Sequence, residues 1–391
     1  MARNGIIAGG GIGGLAAALG LAQKGVGSIV LEKSSKFGEI GAGIQLGPNA
    51  FHAFDYLGIG ETARAEAVYI DKLRLMDALT AEEITHIPLG DEFRTFFGNP
   101  YAVVHRADLH GVLLRACEES PLVDLRTSQN VQGYENNGRG VSVPIENEES
   151  IDGDFLIAAD GLWSSIRRQL VGDGAPIVSG HTTYRSVIPY DQMPEELRWN
   201  AATLWAGPKC HIVHYPLTGW KYFNLVVTYH NDAPEPVAGK PVEKEEVLRG
   251  FEHIHPKARQ IIEHGKDWKL WVLCDREPTT NWVDGKVALL GDSAHPMLQY
   301  FAQGACMALE DAVCLADMFE THQDTGQALR AYQSRRLART ARVQISSRLI
   351  GDFIYHPDGA KAKVRDDILQ SWRPEEYYHR LDWLYGKTGL G

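Results

Sequence analysis

A glycine run, Gly9-x-Gly11-x-x-Gly14, stands near the start of this 391-residue chain, with Glu32 beyond it. Two aspartate–glycine pairs follow much later, Asp160-Gly161 and Gly291-Asp292. His211 and Tyr215 lie between those pairs, and Gln299 lies just past the second. The glycine spacing suits a strand-to-helix turn that meets a pyrophosphate. Gly9 permits the tight turn, Gly11 lets the backbone approach the phosphates, and Gly14 allows the helix to pack closely on the strand. The helix N-terminus then faces the negative charge. Glu32 is placed to accept hydrogen bonds from ribose hydroxyls, and its charge disfavours a 2′-phosphate there. The glycine run alone does not separate NAD from FAD. The aspartate–glycine pairs tip the balance to a flavin, because an aspartate at a strand end can hold a polyol hydroxyl while the next helix N-terminus sits beside the pyrimidine ring. Taken singly, each aspartate reads as a helix cap.

These residues need elements to hold them. Gly5–Ala8 reads as a buried strand, Leu15–Lys24 as a helix closed by Gly25, and Ser28–Leu31 as a second strand, which together make a βαβ opening. The stretch from Ile40 to Leu46 reads as a glycine-rich loop, and Pro48–Tyr56 as a helix. The pattern over residues 72–97 is mixed and strand-like. His105–Cys117 reads as a helix with Asp108 in its first turn. Asn136-Asn137-Gly138 signals a hairpin. Phe155–Ala159 and Lys286–Leu290 read as buried strands that deliver Asp160 and Asp292. Between them, Thr182–Pro189, Ala201–Trp205, His211–Tyr215, Tyr222–Thr228 and Lys269–Leu273 alternate as in an antiparallel sheet. Two long helices close the pattern, near Gly304–Glu320 and Gln327–Ile350.

The fold class expected is α/β: a Rossmann-like FAD-binding domain with an inserted, mostly antiparallel β substrate domain and C-terminal helices. The FAD-binding domain would be discontinuous, residues 1–175 and 276–325. The substrate domain would span 176–275, with strands contributed from 72–97, and the helical segment 326–391.

Bulk composition is that of a globular protein, 44% hydrophobic and 23% charged. A formal net charge of −11 argues against nucleic-acid binding. The five cysteines (117, 210, 274, 306 and 314) show no zinc-like spacing, so reduced thiols in a cytoplasm are expected and no metal site. Residues 6–22 superficially resemble a signal peptide, but six of these seventeen residues are glycine and belong to the fingerprint turn. No segment is long and apolar enough to span a bilayer. The arginine-rich stretch 327–350 contains no acid and puts Arg335, Arg339 and Arg342 on one helix face. That face reads as solvated or packed on the acidic flavin domain, with a subunit contact as the first alternative and an anionic-lipid contact as the second.

With these motifs in this order, the chain resembles the class A flavoprotein aromatic hydroxylases, a group that includes the para-hydroxybenzoate and salicylate hydroxylases. The resemblance implies that Gly9, Gly11, Gly14 and Glu32 bind the ADP half of non-covalent FAD. It implies that Arg106, in His105-Arg106-Ala107-Asp108-Leu109, contacts the flavin, that Asp160-Gly161 serves both FAD and the reduced nicotinamide coenzyme, and that Asp292 holds the ribityl chain. Ala158 and Cys306 depart from the family pattern, which often has glycine and asparagine there. The runs His295-Pro296-Met297-Leu298-Gln299-Tyr300 and His211-Ile212-Val213-His214-Tyr215-Pro216 resemble the narrower group of 3-hydroxybenzoate 6-hydroxylases. That likeness implies that His211 and Gln299 meet the substrate phenol. It also implies NADH and O2 as co-substrates, a flavin C4a-hydroperoxide as the oxygen donor, and a small aromatic acid as substrate.

The chemistry of the residues agrees. A phenolate is a better nucleophile than a phenol and is activated ortho and para to its oxygen, so a histidine–glutamine pair that draws off the proton favours attack. Tyr215 shares a strand face with His211, and could pack on the ring or bind the carboxylate; Tyr101 is a weaker candidate of the same kind. As plain residues, His211 reads first as an ordinary strand histidine, and Tyr215 equally as a core tyrosine. Decarboxylating hydroxylation of salicylate is the main alternative within the family. An NAD-only dehydrogenase or a non-catalytic module on the same fold are the alternatives outside it. A homodimer is an open expectation.

Overall fold

The computed structural model describes residues 3–38, 43–138, 140–386 and 388–389. Asn4–Ala8 is the central strand of a six-stranded sheet. It pairs in parallel with Gly27–Leu31 on one side and Phe155–Ala158 on the other. Val123–Arg126 extends the sheet beyond Gly27–Leu31. Val287–Leu289 extends it beyond Phe155–Ala158, and the antiparallel Val283–Asp284 forms the edge. A parallel strand covered on both faces needs an uninterrupted apolar run, and Ile6, Ile7, Leu156, Ile157, Val287 and Leu289 supply it, all with no exposed surface. The helices Ile12–Gln23 and Gly304–Thr321 lie close together on this sheet, close enough that a Cβ at Gly20 would stand 3.2 Å from that of Ala316.

A second, eight-stranded sheet runs in the spatial order Lys240–Pro241, Lys269–Asp275, Ile177–Pro189, Tyr222–His230, Cys210–Leu217, Ala201–Gly207, Lys72–Asp77 and Glu83–Pro88. All of its pairings are antiparallel except that between Ala201–Gly207 and Lys72–Asp77. Strands from residues 72–88 therefore sit beside strands that come more than a hundred residues later. The segment read as a glycine-rich loop before Leu46 is in part a strand. Gly43–Leu46 pairs antiparallel with Ala102–His105, and that distant partner, absent from any local pattern, supplies the order. Residues 39–42 of the same stretch lie outside the described residues.

The arginine-rich helix runs over Thr325–Ile350, continues through a wider turn at Gly351–Tyr355, and is followed by Gly359–Gln370 and Pro374–Tyr385. Among the described residues no helix is long and apolar enough to cross a membrane. The arginine face expected from spacing divides in two. Arg335 is exposed and Arg342 lies 3.8 Å over the Trp383 ring, whereas Arg339 reaches inward. Arg336, off the expected face, is buried. It donates to Asp311 Oδ1 and Glu310 Oε2, each at 2.6 Å. Arg339 also donates to Glu310, at 2.6 and 2.7 Å, and to the carbonyls of Trp383 and Leu384. His295 Nε2 donates to Asp311 Oδ2 at 2.6 Å. The acids missing from the arginine helix thus come from the helix beside it.

Burial alone would raise both carboxyls, but the neighbouring cations outweigh it. Arg336 and Arg339 hold Glu310 below its usual range, and His295 and Arg336 hold Asp311 down to about 2. Removing one partner from a buried ion cluster strands the others, at a cost of roughly 3–5 kcal/mol. Arg336→Met is therefore expected to lower the thermal unfolding midpoint sharply in calorimetry. The sign of the acid dependence follows from the depressed carboxyl. Stability from Asp311 is complete above the unfolded value of about 3.9 and is lost as pH falls through about 2. Asp311→Asn is expected to flatten that acid limb of the unfolding curve while lowering stability at neutral pH; an unchanged limb would show that other groups set it.

Candidate active site

A cleft of about 800 Å³ runs between the two sheets. At one end it is lined by Glu32, Lys33 and the residues around Gln129–Gln132. Its middle carries Gly9, Gly11, Arg106, Asp160, Gly161, Gly291 and Asp292. At the far end stand Arg185, His211, Tyr215, Gln299 and Tyr355. Nine of the eleven residues singled out from the sequence line this one cleft; Gly14 and Tyr101 do not.

The glycine turn is built by steric exclusion. Gly9 has φ +107°, and a Cβ there would stand 2.3 Å from the carbonyl oxygen of Ala159. A Cβ on Gly14 would stand 1.9 Å from the carbonyl oxygen of Gly9. Gly14 thus shapes the turn from behind it. Glu32 ties the loop down: its Oε2 accepts from the Gly10 amide and its Oε1 from the Ser34 amide, both at 2.9 Å. His110 Nε2 donates to the Gly10 carbonyl at 2.8 Å from the helix Arg106–Glu118. Two helix N-termini, those of Ile12–Gln23 and Gly304–Thr321, open onto the cleft and make its middle favourable for an anion.

Asp160 sits at the end of Phe155–Ala158 and accepts from the Ser165 amide at 3.0 Å through Oδ2, so the capping role is real. Its Oδ1 is buried with no partner. Burial pushes the Asp160 carboxyl upward. Gln303, ahead of the helix Gly304–Thr321, accepts from Asn49 at 2.9 Å and leaves Nε2 buried and unpartnered at the cleft wall. Asp292 is exposed to the cleft beside Gly291, whose amide donates to Asp311 Oδ2 at 3.0 Å. The ion cluster under the arginine helix thereby anchors this turn. A crowded glycine turn, two helix N-termini and unsatisfied polar atoms are a donor and acceptor set that fits a flavin dinucleotide.

At the far end, Arg185 is the single formally charged residue of Ile177–Pro189 and forms no ion pair among the described residues. Its Nη2 donates to Gln299 Oε1 at 3.1 Å, and its Nε has no partner. Burial lowers its pKa, with Tyr215 and Arg106 as its electrostatic neighbours. Gln299 Nε2 donates to Thr183 and Thr228 at 3.2 Å each. Tyr215 lies against the Gly43 backbone, where a Cβ would come within 2.8 Å of its hydroxyl; burial pushes its pKa far up. His211 is buried and its Nδ1 lies 2.7 Å from His356 Nε2, which leaves Nε2 for the cleft. Burial, together with His230 and His181, holds its pKa well below the usual value, which disfavours the imidazolium. Tyr101 is buried among aromatic residues and donates to Gln45 at 2.8 Å. Sequence reasoning missed Arg185, Gln303, Tyr355 and His356. Only Arg185 carried a local signal, a solitary cation in an alternating strand.

The family model for an FAD binding domain matches residues 4–347. A 3-hydroxybenzoate 6-hydroxylase of Aquipseudomonas alcaligenes is 56% identical over 387 residues, covering 99% of this chain and 98% of that one. The chain belongs to the class A flavoprotein aromatic hydroxylases. It is an FAD-dependent monooxygenase, which removes the NAD-only and non-catalytic readings. The 3-hydroxybenzoate 6-hydroxylase of Polaromonas naphthalenivorans is 49% identical, covering 97% and 95% of the two chains. Among solved structures, Klebsiella pneumoniae HpxO complexed with FAD and uric acid is similar with a TM-score of 0.85 at 26% identity, over 97% of this hydroxylase and 95% of that chain. A salicylate hydroxylase substrate complex is similar with a TM-score of 0.82 at 25% identity, over 98% and 95%.

Acid precipitation of the purified hydroxylase is expected to release a yellow, non-covalent FAD. Asp292→Ala is expected to weaken FAD retention by roughly 1.5–3 kcal/mol, the value of a charged acceptor on a hydroxyl. Equilibrium flavin titration checks it, and wild-type affinity would remove Asp292 from the flavin site.

Proposed function

We propose that this enzyme hydroxylates 3-hydroxybenzoate para to its hydroxyl group, forming gentisate, with NADH and O2 as co-substrates. The observation that carries the reading is the meeting, at one end of the cleft, of a buried imidazole whose protonation is disfavoured, His211, with a guanidinium that has no carboxylate partner among the described residues, Arg185. One suits a phenol and the other a carboxylate. Relatives at 56% and 49% identity bearing the 3-hydroxybenzoate 6-hydroxylase name support the choice of ring. NADH rests on likeness to that group.

FAD, when bound, supplies an electrophilic oxygen derived from O2. Gly9, Gly11, Gly14, Glu32, Arg106, Asp160 and Asp292 would hold it, on the side of the six-stranded sheet. The substrate lies against the eight-stranded sheet. Arg185 and Tyr215 bind its carboxylate, and Arg185 can do so because no acid among the described residues neutralises its charge. His211 Nε2 accepts the phenol proton, and Gln299 orients the hydroxyl. The negative charge that develops on the ring oxygen activates the carbon para to it. Neutral His211 matters here, since an imidazolium could not take that proton. Tyr101, one layer behind Gln45, would support the wall of the site. Five unpaired thiols fit a cytoplasmic location.

His211→Ala is expected to keep FAD and to lower hydroxylation by about 10²–10⁴-fold, with reduced flavin diverted to hydrogen peroxide. Gln299→Ala should act in the same direction. Arg185→Met is expected to raise KM by about 10–100-fold, from the loss of a charge-assisted contact of roughly 1.5–3 kcal/mol. Gentisate formed per NADH consumed, by chromatography with 2-, 3- and 4-hydroxybenzoate, tests all three. Wild-type rate and coupling in the variants would make these residues bystanders, and a decarboxylated product from 2-hydroxybenzoate would favour salicylate hydroxylation.

A further inference from the structure

The long helix Thr325–Ile350 is tied down along its inner face. Arg336 holds the ion cluster, Gln344 donates to the Pro296 carbonyl at 2.9 Å, and Ser347 donates to the Leu298 carbonyl. Its outer face is bare. From residue 335 to the end of the helix the exposed positions are Arg335, Ala338, Arg342, Ile345 and Leu349, and Asp352 and Phe353 carry the row into the wide turn Gly351–Tyr355. From Arg335 to Asp352 the steps alternate between three and four, the 3.5-residue repeat that seats one helix on another. Any half-buried helix shows a ridge of this kind to water, but such a ridge is ordinarily polar. Here Ile345 is 50% exposed and Leu349, one turn on, 61%. Phe353 follows at the next i+4 position, 37% exposed. Adjoining exposed apolar side chains on a soluble protein mark a contact surface.

We propose that this ridge joins two copies of the chain, packed antiparallel about a two-fold axis that passes midway between Arg342 and Ile345. The distribution of charge selects the partner and the direction. The first half of the ridge is cationic, with Arg335 and Arg342 around the small Ala338; the second half is apolar and ends in Asp352. Parallel pairing would set each arginine against its own copy. Antiparallel pairing lays the cationic half of one copy on the apolar and acidic half of the other. Arg335 then meets the partner's Asp352, Ala338 meets the partner's Leu349, and Arg342 meets the partner's Ile345, and the two-fold repeats every contact. The seam so formed is about 25 Å long. A small residue faces a large one beside each end, and opposite charges close both ends.

The groups involved are free to make these contacts. Neither Arg335 nor Asp352 forms an ion pair among the described residues, although Asp352 has His181 as an electrostatic neighbour. The Arg342 guanidinium already rests 3.8 Å over the Trp383 ring, so its aliphatic stem is what it offers to Ile345. A second copy answers both signs of charge on the ridge. An anionic lipid surface would answer the arginines alone; it would meet Asp352 with like charge and repel a chain whose formal net charge is −11. The contact leaves the cleft open, since Gln299 and its turn lie on the inner side of this helix. It is independent of which aromatic acid the enzyme hydroxylates.

Sedimentation equilibrium of the FAD-loaded full chain tests the seam, with bound flavin and the unfolding midpoint as checks on folding. Wild-type enzyme is expected to be a dimer at micromolar concentration. Arg335→Glu and Asp352→Arg each place two like-charged pairs at the contact, and each is expected to weaken dimerisation by about 10–100-fold. Mixing these two variants should restore the dimer, because Glu at 335 of one copy then meets Arg at 352 of the other, and the native pair forms at the opposite end. A damaged fold would not recover on mixing. Leu349→Asp should weaken the dimer while retaining FAD. A wild type that stays monomeric overturns the proposal, including one that instead sediments with vesicles of anionic phospholipid. So does a dimer that none of the three substitutions weakens, and so do two charge variants that fail to pair when mixed.

Discussion

Much of this structure hangs on one buried ion cluster. Arg336 holds Glu310 and Asp311 at the same time, and the two acids, adjacent in sequence, send their outer oxygens in different directions. Asp311 receives the Gly291 amide and His295, and so sets the turn that carries Asp292 into the cleft. Glu310 receives Asn49, whose amide also holds Gln303 at the cleft wall. Through Arg339 the same Glu310 is tied to the carbonyls of Trp383 and Leu384 near the C-terminus. An isolated buried charge would be costly, and here each charge has a partner and nearly full hydrogen bonding, the condition under which a buried network specifies one arrangement. The strand end, the helix start and the C-terminal helix are thus held by a single set of contacts.

That arrangement explains how two sheets with different rules share one cleft. The six-stranded sheet is parallel except at its Val283–Asp284 edge and apolar in its central strands, so its polar chemistry is confined to strand ends and helix starts, where backbone amides and short acidic side chains are free to meet a ligand. The eight-stranded sheet is antiparallel and offers a face. Its cleft-lining groups Arg185, His211 and Tyr215 come from within strands, as do the threonines behind them that hold Gln299. Strand ends and a sheet face therefore present complementary chemistry to one cleft: helix N-termini that favour an anion on one side, a guanidinium and an imidazole on the other.

Histidine is used in three ways within this one protein. His295 is a structural donor to Asp311. His214, buried and lowered to about 3, accepts from the Trp205 indole at 3.1 Å within the sheet. His211 faces the cleft. His211 and His214 lie only three residues apart on one strand, so their faces differ, and it is the face that separates the cleft residue from the core residue.

The local chemistry of the cofactor turn was legible in the chain itself. A glycine that must adopt positive φ, a glycine with no room for a methyl group, and an acid at the next strand end are constraints felt within about thirty residues, and residue type records them. So were the central buried strands and the arginine helix, whose periodicities need no partner to be read. What the chain did not reveal was every feature that depends on a distant partner. Gly43–Leu46 becomes a strand only because Ala102–His105 lies beside it. The arginine helix reads as an acid-free cationic surface until the neighbouring helix brings Glu310 and Asp311 to Arg336. Arg185 looks like one charge on a strand, and that no acid among the described residues pairs with it is visible only once strands distant in sequence are placed beside it. His356 is the extreme case, since it stands 126 residues beyond His230 in the sequence yet packs against it. Residue type determined which chemistry was available; the burial, pairing and desolvation that make that chemistry usable are properties of surroundings, and only the tertiary structure supplies those.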